Sequence, residues 1–300
     1  MRQVAFYGKG GVGKSTVATN VAAALADDGK RVLVVGCDPK HDCTANLRGG
    51  KEIPTVLEVL RERGMERRSV EDIVASGDVG IDDVVFRGYN GVFCVEAGGP
   101  KPGYGCAGRG IIVAIDLLRK LDIFEELKPD VVIYDVLGDV VCGGFAMPLR
   151  LGLADEIYVV TSADFLSLYA ANNICKGVRE FASRGGSPLG GIIYNARGPL
   201  DAPDIVERFA ATIGSHVICK IPSSRLFFEA ELEGRTVVEM FPSSEVAATF
   251  RQLARRICDD GKPRGVVPTP LDDGQLSELR AEVRARMMKL RTGASDEKMS

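Results

Sequence analysis

Residues 8–15, GKGGVGKS, satisfy G-x-x-x-x-G-K-[ST] between an apolar run, RQVAFY (2–7), and a helical pattern over 14–28 that Gly29 ends. Gly8, Gly10, Gly11 and Gly13, with Val12 among them, let backbone N–H groups turn inward around phosphate oxygens, and the helix start adds its positive dipole end. Lys14 is placed to reach the β/γ-phosphates of a nucleotide, and Ser15, followed by Thr16, to offer a hydroxyl to magnesium. A glycine-rich turn that binds nothing is the alternative. Lys9, a second lysine inside the loop, would elsewhere be a solvated charge.

Three aspartates lie at or behind apolar runs. Asp38 stands in GCDPKHDCT after the run 31–36, Asp135 ends VVIYD, and Asp139 follows four residues on. In a doubly wound sheet the strand tips face the nucleotide crevice. Asp135 there suits magnesium held through water, and Asp38 suits orientation of an attacking water. Lys40 and Asp42 belong to the loop that should respond to a γ-phosphate. Each could instead be a turn former after a strand.

The eight cysteines include no C-x-x-C pair, which argues against zinc-ribbon and thioredoxin chemistry. Cys94 and Cys219 in apolar strands, and Cys175 and Cys258 in helices, read as small buried hydrophobes. Cys37 and Cys43 flank the first switch loop and stay ambiguous. Cys106 and Cys142 sit in glycine-lined loops, PGYGCAGRG and VVCGGF, where backbone N–H groups can approach sulfur and tune an iron–sulfur cluster. Two thiolates do not hold a cubane that takes four, but a symmetric dimer supplies the same pair twice.

The elements that must position these groups alternate. Apolar runs at 92–95, 131–134, 156–161, 190–194 and 216–221 interleave with helical patterns at 109–120, 166–183, 203–213 and 244–258. That alternation predicts a single α/β domain, a mostly parallel sheet flanked by helices on both faces, over residues 1–260. Residues 45–90 read as short helices laid over one end of the sheet. The extension 261–300 begins with KPRGVVPTP, continues as a helix over 275–291, and ends in a polar tail expected to be disordered.

Composition narrows the function classes. A net charge of −3 with dispersed basic residues leaves no electrostatic footprint for nucleic acid. No run approaches bilayer length and no cleavable apolar segment opens the chain, so a cytoplasmic protein with reduced thiols is expected.

The loop KGGxGK resembles the deviant Walker A motif of the ParA, MinD and nitrogenase iron-protein superfamily, in which the early lysine, here Lys9, approaches nucleotide across a dimer interface. GKGGVGKST, CDPKHDCT, CVEAGGPKPGYGCAGRG, YDVLGDVVCGGFAMP and YAANNI closely resemble the nitrogenase iron-protein family over about residues 1–260. The resemblance implies a homodimer bridging one [4Fe–4S] cluster through Cys106 and Cys142, with MgATP bound by each subunit. It further implies a ferredoxin or flavodoxin as electron donor and a heteromeric catalytic component as acceptor. Asp135, Asp139 and Cys142 share one short segment, through which nucleotide can act on the cluster. Arg109 matches an arginine that some members have ADP-ribosylated. Asn195 matches an asparagine that contacts adenine, and 221–231, with Pro222 and Glu231, matches the loop covering it; Phe228 replaces a usual glutamine.

Two departures bear on the electron acceptor. CDPKHDCT stands where nitrogenase proteins usually read CDPKADST. His41 is shared with the protochlorophyllide reductase branch, but GCAGRG is not that branch's GCGGY. The mixture favours a nitrogenase-like system such as methylthio-alkane reductase. A true nitrogenase iron protein, and the nickel-sirohydrochlorin diamide and protochlorophyllide reductases, are the alternatives. A MinD/ParA-like positioning ATPase shares Lys9, Lys14 and Asp135 and could place Leu276, Leu279, Val283, Met287 and Leu290 on a membrane, but has no need of Cys106 and Cys142.

Overall fold

The structure, a computed structural model, describes residues 1–38, 40, 42–99, 107–138, 149, 153–197, 201–258 and 265–296, except the side chains at 107, 109 and beyond 289. The chain begins β1 (Arg2–Tyr7), α1 (Lys14–Asp27), β2 (Val32–Gly36), α2 (Val56–Glu62), α3 (Val70–Ser76), α4 (Ile81–Val84), β3 (Phe86–Arg87) and β4 (Phe93–Glu96). It continues α5 (Ala107–Lys120), α6 (Ile123–Leu127), β5 (Val131–Asp135), β6 (Glu156–Thr161), α7 (Phe165–Ala182), β7 (Leu189–Asn195), α8 (Pro203–Thr212) and β8 (Val217–Ile221). The last elements are α9 (Leu226–Leu232), α10 (Val237–Met240), α11 (Glu245–Cys258) and α12 (Asp273–Asp296).

Eight strands form one sheet in the order β3-β4-β2-β5-β1-β6-β7-β8, with every pairing parallel except β3 to β4. Strands buried on both faces must be apolar nearly throughout, which is why VLVVG, VVIYD and EIYVVT read as continuous runs rather than alternations. Within β1 the alternation survives as a choice of layer. Val4 and Phe6 pack with α1 and α11, and Ala5 and Tyr7 with α5 and α7.

Two regions depart from the sequence reading. Residues 45–90 contain β3, an antiparallel edge strand, as well as short helices, and α2 and α3 pack on α5. The two-residue pairing of Phe86–Arg87 is too short to give a periodic signal. At the other end, α12 begins ahead of 275 because Asp272 and Gln275 exchange cap hydrogen bonds, the Gln275 N–H reaching Asp272 Oδ1 at 2.8 Å. It then runs to Asp296, through part of the tail expected to be disordered, because no proline interrupts it.

The extension packs on its own domain. Leu271, Leu276, Leu279 and Val283 are buried in the same core as α7 and α8. Buried Asn172 on α7 donates to the Leu271 carbonyl at 3.0 Å and accepts its N–H at 2.8 Å. Val266 forms an antiparallel bridge with Leu189, and Arg208 and Arg286 pair with Glu282 and Asp204. Of the apolar stripe open to a membrane reading, Leu276, Leu279, Val283 and Met287 are thus in intramolecular contact, and Leu290 lies outside the described side chains; each such side chain is worth about 1.5–3 kcal/mol when fully buried. No helix among the described residues is long and apolar enough to cross a membrane.

Candidate functional site

The site is assembled from the carboxyl ends of central strands. The loop leaving β1 turns into α1 through Gly13, whose φ of 90° is left-handed and suits only glycine without strain. Space is equally restrictive, since a Cβ at Gly13 would strike Asn195 Nδ2, and one at Gly8 the Val160 carbonyl. Asn195, ending β7, donates to the Val12 carbonyl at 2.8 Å and so braces the loop from a second strand.

Lys14 and Asp135 are both buried, and Lys14 Nζ donates to Asp135 Oδ1. Burial works against the charge on Lys14, but Asp135 foremost, with Asp38, outweighs it and holds the pKa above the ordinary lysine value. Asp135 Oδ2 is buried without a hydrogen-bond partner. An unsatisfied carboxylate oxygen beside the Ser15 hydroxyl-bearing turn is a donor set that fits a hydrated magnesium ion.

Asp38 accepts from the Lys40 N–H at 2.9 Å, and Lys40 and Asp42 are exposed. The tips of β2 and β5 adjoin, with Gly36 in register with Asp135 and the Cys37 N–H reaching the Asp135 carbonyl at 2.9 Å. Behind Asp135, Gly138 lies so close to the loop that a Cβ there would collide with the Gly8 carbonyl and approach the Lys9 nitrogen at 2.8 Å. The segment leading towards Cys142 therefore leaves Asp135 pressed against the phosphate loop.

Lys9 approaches Asp164 at 4.0 Å, with both side chains substantially exposed. Asp164 caps α7, accepting from the Ser167 N–H at 3.0 Å and from the Ser162 and Ser167 hydroxyls at 2.6 Å. Burial raises its pKa, but these hydrogen bonds and Lys9 together lower it. Sequence reasoning missed Asp164, although D-x-x-S before a helix is a legible cap. Glu96, Thr44 and Arg48, buried behind the 38–42 loop, were missed as well.

The structure thus brings together residues 8–16, Asp38, Asp135 and Asn195. Pro222 follows β8, and Glu231 is exposed on α9; neither side chain bonds to the loop among the described residues. Asp139, Cys106, Cys142, His41 and the Arg109 side chain lie outside the described residues. None of the other six cysteines is in a disulfide. Cys37, Cys43, Cys94 and Cys175 are buried, and burial pushes their thiols up, those of Cys94 and Cys175 to about 12. That resolves Cys37 and Cys43 as packing residues. Cys219 and Cys258, expected to be buried, are partly buried against the core, at the edge strand β8 and the end of α11. No group of three or more potential metal ligands occurs among the described residues.

Sheet order and loop define a P-loop α/β protein of the MinD kind. MinD from Pyrococcus horikoshii OT3, solved with Mg-ADP, superposes with a TM-score of 0.62 at 21% identity, covering 85% of this chain and 95% of that one. At that identity the likeness concerns the fold alone. The chain belongs to the family described as 4Fe-4S iron sulfur cluster binding proteins, NifH/frxC family, which it matches over residues 2–286, most of the extension included. It is 57% identical over 291 residues to nitrogenase iron protein 2 of Methanothermococcus thermolithotrophicus, covering 97% of this chain and 99% of that one. It is 52% identical over 283 residues to the nitrogenase iron protein of Methanococcus voltae, covering 94% and 97%. The protein is accordingly an ATP-dependent iron–sulfur reductase component with a [4Fe–4S] cluster and MgATP as cofactors. The names of these relatives weigh for the nitrogenase alternative over the methylthio-alkane reductase reading.

Proposed function

We propose that this chain is a nitrogenase iron protein, a cytoplasmic homodimer that passes electrons from a ferredoxin or flavodoxin to a heteromeric nitrogenase component. The observation that carries this reading is the 57% identity to a protein of that name across nearly the full length of both chains. The cysteine in CDPKHDCT speaks little against it. Cys43 is buried against Gly36, so a thiol in place of a hydroxyl there alters packing rather than a docking face.

On this reading each site residue takes a role. Backbone N–H groups of residues 8–15 cradle the phosphates, and Lys14 exchanges its bond to Asp135 for one to the β/γ-phosphates. Asp135 and the Ser15 hydroxyl hold hydrated magnesium. Asp38 orients the attacking water, with Lys40 and Asp42 on the loop that follows the γ-phosphate. Lys9 leaves its long contact with Asp164 to reach nucleotide across the dimer. Asn195 faces the base from its bond to Val12, and Pro222 and Glu231 cover it. Cys106 and Cys142 of each subunit hold the shared cluster, which stores low-potential electrons. The contact of Gly138 with Gly8 lets the nucleotide loop act on the segment carrying Asp139 and Cys142. Arg109, beside Cys106, belongs to the docking face and is the modification candidate.

Anaerobically purified protein should support acetylene reduction by a nitrogenase catalytic component with MgATP. Lys14→Gln should abolish both this turnover and the MgATP-induced access of an iron chelator to the cluster, with iron content unchanged. Wild-type protein that fails with nitrogenase components yet drives a methylthio-alkane reductase would move the assignment to that system.

A further inference from the structure

Glu96 ends β4 with none of its surface exposed, a costly place for a carboxylate that no salt bridge among the described residues offsets. Its Oε1 accepts both the N–H and the hydroxyl of Thr44, at 2.7 and 2.6 Å. Thr44 is fully buried and in turn accepts from Arg48 Nε at 3.1 Å. The remaining polar atoms on either side, Glu96 Oε2 and Arg48 Nη1, are buried without partners. A network left half-satisfied in a tightly packed place has room to change its bonds, and calls for an explanation in function.

The row in which Glu96 stands supplies one. Glu96 is in register with Gly36 on β2, and Gly36 with Asp135 on β5. A Cβ at Gly36 would collide with Glu96 Oε2, so the glycine gives the carboxylate its space between the Asp135 tip and Cys43. Thr44 is the fixed end of the loop that begins at Asp38 and carries Lys40 and Asp42. That loop reaches the phosphate site, because Asp38 acts on the charge of Lys14.

We propose that Glu96 is a positioning residue for nucleotide discrimination: by holding Thr44 through two hydrogen bonds to one oxygen, it sets where the 38–44 loop meets the γ-phosphate. The proposal rests on the reading of residues 8–16 as a nucleotide site and adds to it a group that never touches nucleotide. The ionised carboxylate makes the stronger, charge-assisted bonds. Burial, reinforced by Asp135 and opposed by Thr44 and Arg48, raises its pKa to about 7, so its hold on Thr44 varies within the physiological range. The charged and titratable groups facing it are Arg48, Asp135 and the thiols Cys37, Cys43 and Cys94, all three of which burial keeps protonated.

The test uses the full-length dimer under anaerobic conditions and measures MgATP and MgADP dissociation constants between about pH 6 and about pH 8. In wild type the preference for MgATP over MgADP should rise with pH through neutrality. Glu96→Gln should hold it flat at the acid-limb value, about tenfold lower at the alkaline end. Thr44→Val should do the same, and Thr44→Ser, which keeps the hydroxyl, should restore the wild-type slope. Wild-type slope and preference in Glu96→Gln would overturn the proposal. Should that variant fail to fold, equal behaviour of Thr44→Val and Thr44→Ser would overturn it instead. Lys14→Gln separates the two readings: unchanged MgATP affinity there removes the nucleotide site itself, and the proposal with it.

Discussion

The side-chain amide of Asn195 donates to the carbonyl of Val12 at 2.8 Å, so β7 holds the phosphate loop that β1 supplies. Because the same amide blocks any Cβ at Gly13, where φ is 90°, Gly13→Ala meets both a clash and a left-handed backbone. The left-handed conformation alone costs about 1–2 kcal/mol for an L-residue. Urea unfolding should show at least that loss, and nucleotide binding should fall with it. A second change, Asn195→Ala, should recover only the part due to the clash.

Removing one member of the Lys14–Asp135 pair should be worse than removing both. Lys14→Met strands a buried carboxylate, at a cost of about 3–5 kcal/mol. Adding Asp135→Asn to that variant should return most of the lost stability. Additive losses in a double-mutant cycle would show that the two do not act as a unit.

Cluster chemistry can be separated from packing by cysteine. On the proposed ligation Cys142→Ala removes a ligand from both subunits at once, so iron should fall from about four per dimer to near none, and dimerisation should weaken. Cys175→Ala should keep full iron and lose about 1–2 kcal/mol of stability, because Cys175 is buried within α7. Iron analysis with anaerobic size-exclusion chromatography distinguishes these outcomes.

The raised pKa of Glu96 has a stability consequence of fixed sign. A carboxyl whose folded value lies above its unfolded one, here about 7 against 4.5, favours folding while protonated and opposes it once ionised. Its favourable contribution therefore fades as pH rises through that interval. Glu96→Gln should match wild type in thermal stability near pH 5 and exceed it near pH 8. Lower stability of the variant at the alkaline end would contradict the assigned direction.

One buried amide ties the start of the extension to α7. Asn172→Leu should leave the Leu271 N–H and carbonyl unsatisfied, costing about 2–4 kcal/mol. Limited proteolysis should then cut first near 265–272. Unchanged protection of that stretch would show that the leucines alone hold it.

Much of this arrangement was legible from residue order. The G-x-x-x-x-G-K-S spacing sits at the β1–α1 turn, and the VVIYD aspartate at the tip of β5, because buried parallel strands write themselves as apolar runs. β3 escaped because two residues carry no period, and the end of α12 because Gly-Ala-Ser is weak helix former rather than stop. Glu96 escaped for a different reason. In VFCVEAGG it looks like any strand-end charge, and only the sheet order, which sets it across Gly36 from Asp135, gives it a task. Acceptor choice was not legible locally: it rested on CDPKHDCT and GCAGRG, of which His41 lies outside the described residues and Cys43 is buried, and the names of the relatives weigh for the nitrogenase alternative instead.

The place of β1 governs when the protein can first bind anything. Its neighbours in the sheet are β5 and β6, which pair Phe6 with Asp135 and with Tyr158. Lys14 precedes its partner Asp135 by 121 residues, so the phosphate loop is made well before the strands that flank it. At about 5–20 residues per second the loop waits on the order of ten seconds in an unformed state. Nucleotide can therefore be held only once β5 and β6 have joined β1.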